Sequence, residues 1–135
     1  MADFNRWAMW VVVAHTIVVT VHAGAHGALQ VLPGPLDSLF IVVVYFASPI
    51  AAAVLLGSRP RVAFPVLFGA MLAGLVYGAL YHYALPTPDN VASVSPQGWG
   101  LVFIATTGIL AALELVAVSV SAIPLMRSRA NPSPR

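Results

Sequence analysis

Residues 7–32 read WAMWVVVAHTIVVTVHAGAHGALQVL, an apolar run interrupted by only a few polar side chains, three of them histidines. A helix crossing a hydrocarbon core needs about 20 such residues. The run passes the small residues Ala23-Gly24-Ala25 without a break. It is therefore too long for the apolar core of a cleavable signal and reads as a membrane helix. Arg6 precedes it, and Trp7 and Trp10 suit a membrane–water boundary.

Three further runs follow, near 36–56, 62–85 and 99–126. Pro33-Gly34-Pro35 separates the first two, with Asp37 or Ser38 placed to cap the second helix. Gly57-Ser58-Arg59-Pro60-Arg61 makes the next turn, and a longer connection rich in Pro and Ser runs from Pro86 to Gly98. The Val- and Ile-rich runs favour strands by propensity. A membrane barrel needs alternation over about ten residues per strand, however, and none occurs. In lipid a continuous apolar segment satisfies its backbone only as a helix. The expected fold is all-α, a membrane four-helix bundle forming one domain over 1–126, with a disordered tail at 127–135.

Composition agrees. Of 135 residues, 60% are apolar and 7% charged, against roughly a quarter charged in soluble proteins. The net charge is +2, from six arginines without a basic stripe, which excludes nucleic acid as a partner. Cysteine is absent, and with it disulfides and thiolate metal sites. Across four crossings Arg6, Arg59, Arg61, Arg127, Arg129 and Arg135 all fall on one face, while Asp37 and Asp89 fall on the other. The positive-inside rule then places both termini in the cytoplasm, in a cell or inner membrane. Tyr81, Tyr83 and Trp99 form the outer aromatic belt. Pro49 should kink the second helix, with Ser48 taking a freed carbonyl.

In size alone the chain resembles the small multidrug-resistance transporters. Those carry a membrane carboxylate in the first helix, whereas the deep carboxylate here, Glu114, is in the fourth, so no residue is carried over.

The histidines are the informative residues. At about 100° per residue, His22 lies about −20° and His26 about +20° around the helix from His15, so the three share one stripe. Ionisable groups at this depth face the bundle interior and mark a function. His82, near the end of the third helix, falls at the height of His22 and His26. Glu114 falls at the height of His15 on its own stripe of Gly100, Thr107, Glu114 and Ser121. The expected ligand set is His22, His26 and His82, suited to Cu, Zn, Fe or Ni more than to Mg or Ca. A b-type haem is the variant reading, with His82 opposite His22 or His26 and room for a flat ring above Gly74-x3-Gly78-x3-His82. His15 and Glu114 are expected to pair, as a proton relay or a register contact. A bland reading has each histidine bonded to a neighbouring hydroxyl or carbonyl, with Thr16, Thr20, Thr106, Thr107 and Tyr81 among the candidates.

No nucleotide fingerprint, nucleophile triad or zinc-protease motif occurs, so no stand-alone catalytic activity is expected. Three functions follow. The first is metal handling or electron transfer, in a subunit of a membrane redox complex. The second is a cofactor-free accessory subunit, packed through its Gly and Ala faces against other membrane subunits or copies of itself. The third is a proton-coupled carrier or quinone-site protein using Glu114 and His15.

Overall fold

The structure is a computed structural model that describes residues 2–130. It is all-helical, with four helices long and apolar enough to cross a membrane. These are α1 (Ala2–Leu29), α2 (Pro35–Leu56), α3 (Pro60–Ala84) and α4 (Trp99–Ala130). α4 lies between α1 and α3, and α2 packs chiefly on α3. The connections 30–34 and 85–98 share one end of the bundle, hereafter the loop end.

α1 starts before Trp7, with Asp3 in its first turn where the helix dipole favours a carboxylate. It stops at Leu29 rather than Leu32. Gln30 takes the left-handed conformation, at φ 57°. Its N–H bonds the Gly27 carbonyl and the Val31 N–H bonds the His26 carbonyl, a Schellman closure on a residue other than glycine. Asp37 and Ser38 do not cap α2. Gly34 occupies the cap position without a side-chain bond, and Pro35 begins the helix because its missing N–H costs nothing there. Asp37 instead accepts from the Tyr81 hydroxyl at 3.3 Å.

Two helices widen just before a proline. Pro49 has no N–H, and Val42–Ala47 relaxes into a π turn in which the Ser48 N–H reaches the Val43 carbonyl. Pro86 does the same to Leu80–Ala84, where the Leu85 N–H bonds the Leu80 carbonyl at 2.8 Å. Leu85 itself is extended (φ −87°, ψ 140°), as a residue before proline prefers. The Thr87 hydroxyl and the Asn90 amide satisfy the Tyr81 and Leu85 carbonyls left open by this ending. The first π turn carries Tyr45 inward. The second carries His82.

Away from the loop end, Ala8, Val11, Val12, Leu56, Phe64, Leu67, Met71 and Ala117 form a closed apolar core. Small residues at Ala8, Ala52, Ala63 and Ala117 let backbones approach, the main source of helix association where lipid is as apolar as the side chains. α4 continues past Met126 to Ala130, taking in Arg127 and Arg129, while Arg135 and the rest of the expected tail from 131 lie outside the described residues. Trp7, Trp10, Tyr83 and Trp99 are exposed, as boundary aromatics should be.

Candidate metal centre

Three of the four histidines meet near the loop end. His22 and His26, one turn apart on α1, approach each other Nε2 to Nε2 at 3.1 Å. The His82 ring lies edge-on to His22, centroids 5.2 Å apart, and 5.9 Å from His26. One ring nitrogen from each falls within 4.8 Å of the other two. Phe103 of α4 lies 4.9–5.3 Å from all three rings and gives the group an apolar floor.

The remaining nitrogen of each ring is tied to a fixed acceptor. The Nδ1–H of His26 donates to the Val31 carbonyl at 2.8 Å, which the Schellman closure of α1 has folded back over the helix end. The Nδ1–H of His82 donates to the Asp89 carbonyl, also at 2.8 Å. His22 Nδ1 lies 2.9 Å from the Thr106 oxygen. That hydroxyl also lies 2.7 Å from the Val102 carbonyl and 3.1 Å from the Phe103 carbonyl, so it either accepts from His22 while donating to one of these or gives its hydrogen to His22 Nδ1.

The carbonyls set the tautomers of His26 and His82, and the Thr106 hydroxyl admits either tautomer of His22. With hydrogen on every Nδ1, the neutral rings hold their lone pairs on Nε2. His22 Nε2 and His26 Nε2 face each other at 3.1 Å: with hydrogen on His22 Nε2 the two rings share a hydrogen bond, and with both lone pairs free they converge on a point that a cation would fill. Two imidazoles on a tetrahedral ion at about 2.05 Å would stand about 3.3 Å apart. Anchoring of the outer nitrogen by a carbonyl or carboxylate is the usual second shell of a metal-bound histidine. The Asp89 carboxylate adds compensating charge 3.6 Å from His26 Nδ1.

Each ring of the triad thus has the plain partner of the bland reading, the Thr106 hydroxyl for His22 and the Val31 and Asp89 carbonyls for His26 and His82, which leaves the three Nε2 atoms to be accounted for. Thr16, Thr20 and Thr107 bond carbonyls one turn back in their own helices. Asp89, which the sequence marks only as an acidic residue on the arginine-free face, is a member of the site that the sequence does not reveal. Pro86 and Pro88 signal a stiff loop returning over His82, but which carbonyl lands on the ring depends on the path of that loop.

His15 and Glu114 also meet, deeper in the bundle and almost fully buried, at 1% and 2% exposure. His15 Nε2 stands 3.5 Å from Glu114 Oε1. That is too long for a hydrogen bond. Among the described residues, neither nitrogen of His15 nor Oε1 of Glu114 has a hydrogen-bond partner.

The room expected for a flat ring above Gly74 and Gly78 is already filled. A Cβ on Gly74 would fall 2.8 Å from Glu114 Oε1 and 3.4 Å from Tyr45 Cε1. One on Gly78 would fall 3.4 Å from the Tyr45 hydroxyl, which itself donates to the Gly74 carbonyl at 2.7 Å. The glycines admit Tyr45 and Glu114. A cavity of about 50 Å³ remains between the two groups, lined by His26 and His82 at one end, Glu114 at the other, and Tyr45 and Thr107 between. That is room for a few water molecules.

No protein-family model, no curated protein and no solved structure matches the chain. The functional reading therefore stands on this geometry.

Proposed function

We propose that the protein binds one first-row transition-metal ion, of the zinc or copper class, through Nε2 of His22, His26 and His82. The carrying observation is that one ring nitrogen from each of the three histidines falls within 4.8 Å of the others, while the Nδ1 of each ring is held by Thr106, Val31 or Asp89 and Nε2 of His22 and of His26 face each other. Three protein ligands leave a fourth coordination position for water or an exchanging ligand, the pattern of a working site rather than a closed structural one. The ion is favoured over haem because Tyr45 and Glu114 occupy the space a porphyrin needs. The role is metal handling at a membrane surface. The arginine distribution assigns the loop end to the non-cytoplasmic side, which makes the triad a receiver of ions from outside.

The test is to purify the protein in lipid nanodiscs, load it with Co(II), and record the visible spectrum and metal content. A tetrahedral Co(II) spectrum lost in His82→Ala and kept in His15→Ala is the expected result. A Soret band in the protein as isolated would replace the ion with haem. A colourless chain that takes up no metal and co-purifies with membrane partners would overturn the proposal in favour of the accessory-subunit reading.

A further inference from the structure

The triad leaves His15 and Glu114 unexplained. Both side chains are more than nine-tenths buried, both come from long helices that fix them, and the atoms facing each other have no hydrogen-bond partner. Burying such groups without partners is costly, several kcal/mol for a charged one by the usual order of magnitude. At 3.5 Å the two groups form an ion pair at most, which leaves the hydrogen-bonding capacity of their facing atoms unused.

Distance discriminates among the candidates. A direct hydrogen bond between imidazole and carboxylate closes to about 2.7–2.9 Å, well inside the 3.5 Å found. A water accepting or donating about 2.8 Å bonds to both atoms would be squeezed to an angle near 80°, far from its preferred geometry. An ion bound at about 2.05 Å to nitrogen and about 2.1 Å to oxygen separates them by about 3.4 Å at a tetrahedral angle and about 3.6 Å at a trigonal one. The observed separation falls between these two values.

The pair is also connected to the triad. Glu114 lines the same cavity as His26 and His82. His15 lies seven residues before His22 on one helix stripe, about 10 Å away along the axis. Beyond Glu114 the path stops at the apolar core of Val11, Val12, Phe64, Leu67 and Met71.

We infer that His15 Nε2 and Glu114 Oε1 form a second, inner station for the same class of transition-metal ion, which receives it from the triad through the cavity. This rests on the reading of the triad as a metal site. With two protein ligands against three, the inner station is the weaker, and waters in the cavity complete its coordination. A neutral imidazole and a carboxylate also suit a divalent ion in charge, since the carboxylate cancels half of it. In the present conformation the ion enters from the loop end and has no exit past the apolar core. The arrangement is that of a carrier caught with one side open.

The experiment is a Zn(II) titration of the whole chain in nanodiscs, followed by calorimetry and elemental analysis. The wild-type chain should take two ions, one tight and one weaker. Glu114→Gln and His15→Ala should each lose the weaker ion and keep the tight one, while His82→Ala should lose the tight ion and keep the weaker. X-ray absorption of the doubly loaded wild-type protein should average about two imidazoles per ion, three at one site and one at the other; this readout needs no variant to fold. A single ion lost in His82→Ala would leave the triad reading intact and sink the inner station. So would a second ion that persists in both Glu114→Gln and His15→Ala, or proton uptake by Glu114 with no second ion. A lone ion lost in Glu114→Gln but not in His82→Ala would do the reverse.

Discussion

The two histidine groups share one helix stripe and one cavity, yet they are held in opposite ways. In the triad every ring is clamped through its Nδ1, His26 to Val31, His82 to Asp89 and His22 to Thr106. At the inner pair neither nitrogen of His15 is clamped at all. The difference follows from position. The triad sits where helices end, and ending helices supply what a continuous helix withholds, namely carbonyls free to accept. Val31 lies just past the end of α1 and Asp89 in the loop that follows α3, while Thr106 adds a side-chain oxygen from within α4. The inner pair sits among unbroken helical turns whose carbonyls are already used, so its polar atoms have only each other. Preorganised ligands bind tightly and specifically; free ones bind weakly and release.

This contrast can be broken most severely at a ligand. His82→Ala removes one of three donors and should weaken Co(II) binding at the triad by more than the 10–100-fold that loss of an outer-shell partner brings. The visible Co(II) band reports it directly. Thr106→Val, which keeps the shape and deletes the hydroxyl, frees the His22 ring and should weaken the same site by about 10–100-fold. An effect on Co(II) affinity no larger than that of an exposed substitution such as Ser119→Ala would mean that the clamp does not matter.

Asp89→Asn tests a finer point. It preserves the backbone carbonyl that holds His82 and removes the charge 3.6 Å from His26 Nδ1. Affinity should fall toward the lower end of that range, about tenfold, with the coordination spectrum unchanged. Gly74→Ala acts on the other group. Its new methyl would meet Glu114 and Tyr45 and should lower thermal stability by about 1–3 kcal/mol through overpacking, while affinity at the triad stays as it was. Coupled loss at both would show that the two groups are one.

Smaller effects concern the polar bonds between helices. Asn5 on α1 donates to the Leu56 carbonyl on α2 at 3.1 Å. Interhelical bonds of this kind average about 0.6 kcal/mol in membranes, so Asn5→Leu should shift the melting temperature slightly and metal content not at all.

Much of this was legible in the chain. Apolar runs of membrane-spanning length, divided by Pro-Gly-Pro and by Gly-Ser-Arg-Pro-Arg, define four helices, because in lipid the backbone has no other way to satisfy itself. The period of 3.6 residues places His15, His22 and His26 on one face, and Glu114 with Thr107 and Ser121 on another, wherever the helices go. His15, His22, Thr107, Glu114 and Ser121 are buried as that period requires, and His26, near the loop end, is half-buried.

What only the tertiary structure decided is which faces meet and where the loops land. The prolines at 49 and 86 announce an irregularity but not the π turns that bring Tyr45 and His82 inward. Nor does the spacing of a loop reveal that the Asp89 carbonyl will clamp a histidine, or that Thr106 and not Thr107 will clamp another. The physical reason is range. Helix periodicity is a local property, carried by hydrogen bonds four residues apart, whereas the relative rotation of two helices and the return of a loop are set by packing among residues dozens of positions apart.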